Sequence, residues 1–143
     1  MTSARLLMLL AGVMYAASWC VPVATTSGEL MGGDVWGWQA FLFTLMNPAL
    51  GNTIDAGWLT RAWMVASALS NALVLVAIGL ALRRSALSSR RLGWAFAAAT
   101  LINAVWIAIP EARSELRLGY YLWFAAFALG AIGAFRGASG ELA

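Results

Sequence analysis

Few side chains in this 143-residue chain could carry acid–base or nucleophilic chemistry. They are the carboxylates of Glu29, Asp34, Asp55, Glu111, Glu115 and Glu141, and the single thiol of Cys20. Histidine is absent, and all nine cationic residues are arginine. A Ser–His–Asp or Cys–His system therefore lacks its imidazole base. A Ser–Lys dyad or a Schiff base lacks its amine. Zinc or copper sites of His and Cys, His-ligated haem and a Cys-held iron–sulfur cluster lack their ligands. One cysteine forms no intramolecular disulfide. Carboxylate chemistry is what is left, and it has no visible partner. Glu111 and Glu115 stand at i, i+4 just after Pro110, but Arg113 and Arg117 interleave with them, so charge compensation in solvent is expected there. An enzyme acting on lipid through Glu29, Asp34 or Asp55 would have carboxylates on a loop and no second group. No catalytic, cofactor-binding or metal-ligating residue is assigned, and no cofactor is expected.

The elements that position these residues follow from composition. The chain is 62% hydrophobic and 10% charged, with a mean hydropathy of +0.80. Soluble domains carry about 25% charged residues, so this chain cannot dress a water-facing surface. It is too apolar for disorder. The expectation is an all-α integral membrane protein forming one domain over residues 1–143. Four uncharged runs reach the roughly 20 helical residues a bilayer core requires, at about 6–24, 62–82, 92–109 and 118–135.

Arginine sets the orientation. Placing both termini and the middle loop in the cytoplasm puts Arg5, Arg83, Arg84, Arg90, Arg91 and Arg136 inside, and Arg61, Arg113 and Arg117 outside. Every acid except Glu141 then lies outside, as the positive-inside pattern allows. The tryptophans Trp19, Trp36, Trp38, Trp58, Trp63, Trp106 and Trp123 are expected as anchors at the outer interface, with Tyr120 and Tyr121 beside them. Trp94 and Phe135 fall near the inner one. Arg5 ahead of an apolar stretch has the look of a signal peptide, but no small-x-small cleavage site follows, and a retained first span is expected. The basic balance is absorbed by this topology, and no basic face interleaved with aromatics suggests a nucleic-acid partner.

The stretch between the first two long runs is more complex. Thr25 to Asp34 is Gly-rich and polar and reads as an exposed turn region. Beyond it, a small, partly polar stripe of Gly37, Ala40, Thr44, Asn47 and Gly51 opposes a bulky one of Trp38, Phe41, Leu42, Leu45 and Met46. This pattern predicts a short helix over about 36–46 lying in the outer interface. A fifth crossing would place one terminus outside and spoil the arginine asymmetry. The triplet Asn47-Pro48-Ala49 has the form that aquaporins place at half-helix tips. It occurs once, at the end of its apolar segment, and reads as a helix stop.

Polar residues inside the spans are the remaining signal: Ser67, Ser70 and Asn71 in the second, and Thr100 and Asn103 in the third. Counted from the outer ends, Asn71 and Thr100 both lie about 13 Å deep, and Ser67 and Asn103 roughly 8–9 Å. Ser67, Asn71, Thr100 and Asn103 are therefore expected to make hydrogen bonds between helices at matching levels. Small residues spaced three or four apart, Gly12 and Ala16, Ala66 and Ser70, and Ala126, Gly130 and Gly133, permit close backbone approach. No charge lies within a span, which removes the usual basis for proton relays and voltage sensing.

The arrangement resembles small tetraspan proteins of bacterial inner membranes, in architecture only, and architecture carries no activity. The function expected from these features is non-enzymatic: helix packing with a membrane partner, as an accessory or assembly subunit or a toxin-neutralising factor, or self-association. The alternative is a homo-oligomeric channel or small-solute transporter with Asn47, Asn71 and Asn103 along a path shared between subunits.

Overall fold

The computed structural model describes residues 3–26, 33–50, 58–82 and 90–140. Their order is α1 (Ser3–Trp19), β1 (Pro22–Thr26), β2 (Gly33–Trp36), α2 (Gly37–Leu50), α3 (Trp58–Leu82), α4 (Arg90–Ala108), α5 (Pro110–Glu115) and α6 (Leu118–Gly140). The protein is mostly helical. By length and composition, α3, α4 and α6 each suffice to cross a membrane, and α1 is a shorter apolar helix. This is the construction of a membrane-embedded helical protein.

Local chemistry explains where the elements stop. The first apolar run, expected to be helical over 6–24, leaves the helix at Trp19. Cys20 N–H closes a last turn on the Ala17 carbonyl at 3.0 Å. Pro22 then supplies no N–H and drives Val21 out of the helical region. The residues that follow, PVATT, pair as β1 with β2 in an antiparallel hairpin, with Ala24 opposite Val35 and Thr25 opposite Asp34. The chain is otherwise mostly helical, and this short hairpin is an addition to the expected all-α membrane architecture. Part of the segment read as a turn is a two-stranded sheet, and its Thr and Val residues favour extended backbone.

The helix expected at about 36–46 is present as α2 and continues through Pro48 to Leu50. Its start is capped, because Gln39 Oε1 accepts the Trp36 N–H at 2.9 Å, as in a capping box. Asn47-Pro48-Ala49 closes the last turn instead of lying beyond it. Proline fixes a φ that suits a helix and costs one backbone bond there. Helix α4 gives way at Ile109, whose backbone is extended (φ −86°, ψ 114°), and Pro110 opens the one-and-a-half turns of α5.

The four long helices alternate in direction. Helix α6 packs against α1 and α4, while α3 packs against α4, α1 and α2. Helix α6 is the most buried of the candidate spans. Its Ala126, Phe127 and Ala134 are fully enclosed with Phe96 of α4, Val74 of α3, and Met8 and Tyr15 of α1. Gly130 lies under the Phe96 ring, and Gly133 faces Ala4 and Met8 of α1. The small-residue spacing of α6 is therefore used inside the monomer.

The hairpin and α2 sit at the end of the bundle where α1 and α4 finish and α3 and α6 begin. The Arg117 N–H donates to the Val23 carbonyl at 2.9 Å, and Ala24 bridges to Leu116. Arg117 Nε donates to Thr25 Oγ1 at 2.7 Å, and Thr25 Oγ1 in turn donates to Asp34 Oδ1 at 3.1 Å. This end of the molecule is thus tied across ninety residues of sequence.

Candidate functional site

On α3, the buried face in its first half is polar: Ser67, Ser70 and Asn71, followed by Val74 and Ala77. On α4 it is Phe96, Ala99 and Asn103. These spacings of three, four and seven each draw one stripe along a helix. Where the two stripes meet, Ser67 Oγ donates to Asn103 Oδ1 at 2.5 Å, and Asn103 Nδ2 donates to Ser70 Oγ at 3.1 Å. The same Nδ2 also donates to the Ala99 carbonyl at 2.8 Å. One turn away, Trp63 Nε1 donates to the Ile102 carbonyl at 3.0 Å.

Helix α6 closes the ring. Tyr120 donates its hydroxyl proton to the Asn103 main-chain carbonyl. Trp123 Nε1 donates to Asn71 Oδ1 at 2.8 Å. Each of the helices α3, α4 and α6 is thereby hydrogen-bonded to the other two, and Asn103, with 0% exposure, lies at the centre. Such a clasp satisfies buried polar groups that lipid would leave without partners.

Of the four residues expected to bond between helices, Ser67 and Asn103 face each other directly. Asn71 and Thr100 do not pair. Asn71 turns to Trp123, and Thr100 Oγ1 donates to the Phe96 carbonyl of its own helix at 2.8 Å. Depth along the helix matches these two residues, but rotation about the axis separates them. Thr100 follows Ala99 by 100° and sits off the buried stripe. Ser70 and Tyr120, which complete the clasp, carried no pairing signal in the sequence beyond polarity and position.

The tryptophans divide into two groups. Trp36, Trp38 and Trp58 are exposed at the end of the bundle that carries the hairpin. Trp19, Trp63, Trp106 and Trp123 are half-buried, and Trp63 and Trp123 spend their indole N–H inside the bundle. The indole N–H of each of these two is taken by an acceptor on a neighbouring helix.

Immediately above the clasp is a cavity of about 190 Å³. Trp19, Phe41, Met64, Trp106, Tyr120 and Trp123 wall it, and Ser18, Ser67 and Asn71 are its polar lining. Among the described residues that line it, none is charged. Helix α2 contributes Gly37, Ala40 and Phe41 and leaves Trp38, Leu42 and Met46 exposed on its other side. Two glycines allow the rim to close. A Cβ on Gly37 would meet the Ser18 carbonyl oxygen at 2.6 Å, and one on Gly119 would meet the Pro22 carbonyl oxygen at 2.6 Å.

Among the described residues the carboxylates form no cluster with other metal-ligating side chains. Asp34, Glu111 and Glu115 are exposed, and Glu29, Asp55 and Glu141 lie outside the described residues, as do Arg83 and Arg84. The side chain of Asn47 is likewise outside them. Among the described residues no group of three metal-ligating side chains exists. Asn71 and Asn103 are buried in the monomer, at 6% and 0% exposure, so neither lies on a surface that two subunits could share. No protein-family model, curated protein or solved structure matches the chain.

Proposed function

We propose that this chain is a non-enzymatic protein that crosses a bacterial inner membrane four times, with α1, α3, α4 and α6 as the crossings and both termini in the cytoplasm. It acts by packing its helices against a membrane partner, as an accessory or assembly subunit or a toxin-neutralising factor. The observation that carries this reading is the self-sufficiency of the interior. Ser67, Ser70, Asn103 and Tyr120 bond to one another and Trp123 bonds to Asn71, so the polar groups of the interior find their partners within the monomer. What the molecule offers outward is apolar helix surface: Leu9 and Val13 on α1, Leu69 and Val76 on α3, and Leu101 on α4. Surface of this kind meets lipid or another helix.

The orientation rests on the arginine asymmetry together with the gathering of Trp36, Trp38 and Trp58 at the end opposite Arg5, Arg90 and Arg136. At about 1.5 Å per residue, the 17 residues of α1 give roughly 25 Å. That is a short crossing, which a few ångströms of local bilayer thinning accommodates.

Purification in mild detergent tests the function. A partner or a second copy retained through size exclusion is the expected result, and a solitary monomer under every condition overturns it. Flux of a small solute through reconstituted liposomes, lost in Asn71→Leu and Asn103→Leu, would establish the transporter reading instead. Tags at either terminus should be unreachable from outside intact cells, and labelling of either one overturns the four-crossing layout.

A further inference from the structure

The cavity above the clasp has a chemistry of its own. A cavity of about 150 Å³ lined by apolar side chains takes up a benzene ring, and this one measures about 190 Å³. Its walls are aromatic, with Trp19, Phe41, Trp106 and Trp123 from α1, α2, α4 and α6. Among the described residues its lining carries no charge, and an ion held by these side chains alone would lose its hydration without a counter-charge.

The polar lining is selective in a second way. The hydroxyl protons of its three hydroxyl-bearing residues are already committed. Ser18 Oγ donates to the Tyr15 carbonyl at 2.6 Å, Ser67 Oγ to Asn103 Oδ1 at 2.5 Å, and Tyr120 to the Asn103 carbonyl. What these hydroxyl oxygens still offer is lone pairs. They call for a ligand that donates a proton.

We infer that the cavity between α2 and the bundle is a binding site for a small, uncharged, ring-sized molecule bearing a hydroxyl group, of the phenol class. The ring fills the aromatic walls, and the hydroxyl donates its one proton to a serine or tyrosine oxygen of the lining. A molecule of this class partitions to the membrane interface, where the exposed Trp38, Leu42 and Met46 face of α2 lies in the four-crossing arrangement. It reaches the site from the bilayer edge.

The test uses the full-length protein in detergent micelles and 4-fluorophenol as the probe, followed by ¹⁹F NMR, with 4-fluoroanisole as the comparison that lacks the donor proton. Saturable binding is expected, with 4-fluorophenol about fivefold tighter, the ratio that one hydrogen bond of about 1 kcal/mol corresponds to. Ala40→Leu adds volume inside the cavity and is expected to weaken binding at least tenfold, with helicity checked by circular dichroism. Uptake that only rises linearly, as in empty micelles, overturns the proposal. So does equal affinity for the two probes, a comparison made on the unaltered protein and therefore independent of whether the variant folds.

Discussion

Replacement of Asn103 by leucine removes the centre of the clasp. Asn103 is fully buried, and leucine fills a comparable volume, so the change reports polar contacts more than an emptied space. Two hydrogen bonds between helices vanish, the one from Ser67 Oγ at 2.5 Å and the one to Ser70 Oγ at 3.1 Å. Bonds of this kind within membranes average about 0.6 kcal/mol and reach about 1.7. Ser70 keeps its own donation to the Ser67 carbonyl at 2.6 Å, and the Tyr120 bond goes to the main chain and survives. Ser67 alone loses its acceptor. The expected loss is therefore about 1–3 kcal/mol. Thr100→Val serves as the control, because its hydroxyl bonds only within α4, and it should change stability by less than about 0.5 kcal/mol. Reversible unfolding in mixed micelles of rising dodecyl sulfate content, read by circular dichroism, measures both. A cycle with Ser67→Ala should give a coupling of about 0.6–1.7 kcal/mol. Asn103→Leu as stable as the parent, or a coupling of zero, refutes the clasp.

The same assay examines three other features. Tyr15 is 4% exposed and its hydroxyl has no partner among the described residues, so Tyr15→Phe should stabilise by about 1 kcal/mol, and clear destabilisation would reveal a partner. Gly119→Ala should cost at least about 1 kcal/mol, since the added carbon meets two backbone oxygens at 2.6 and 2.8 Å. Gly79→Ala, with nothing within 4 Å, should be neutral or stabilising by up to about 1 kcal/mol, and reversal of this order contradicts the packing described. Arg117→Ala cuts an exposed link to Thr25 and should lower global stability by no more than about 1 kcal/mol, while hydrogen exchange in β1 and β2 accelerates. Unchanged exchange there would mean that the side chain does not hold the hairpin.

Hydropathy and arginine placement, read along the chain, determined that this is a membrane protein with helical runs near 62–82, 92–109 and 118–135, because bilayer burial acts on stretches of residues whatever they pack against. The residue inventory likewise ruled out imidazole, amine and cysteine-metal chemistry. Polar positions at mid-span marked Ser67, Asn71 and Asn103 as buried, since lipid leaves such groups no other choice. Tertiary structure alone decided which of them meet. Depth is legible from residue number, but the rotation of one helix against another is set by packing with a third, which is why Asn71 reaches Trp123 and not Thr100. It also decided that Gly130 and Gly133 serve α6 within the monomer, that Trp63 and Trp123 turn inward, and that PVATT finds a strand partner in GDVW. The cavity arises from five separate segments converging over the clasp, and convergence of that kind leaves no trace in any one of them.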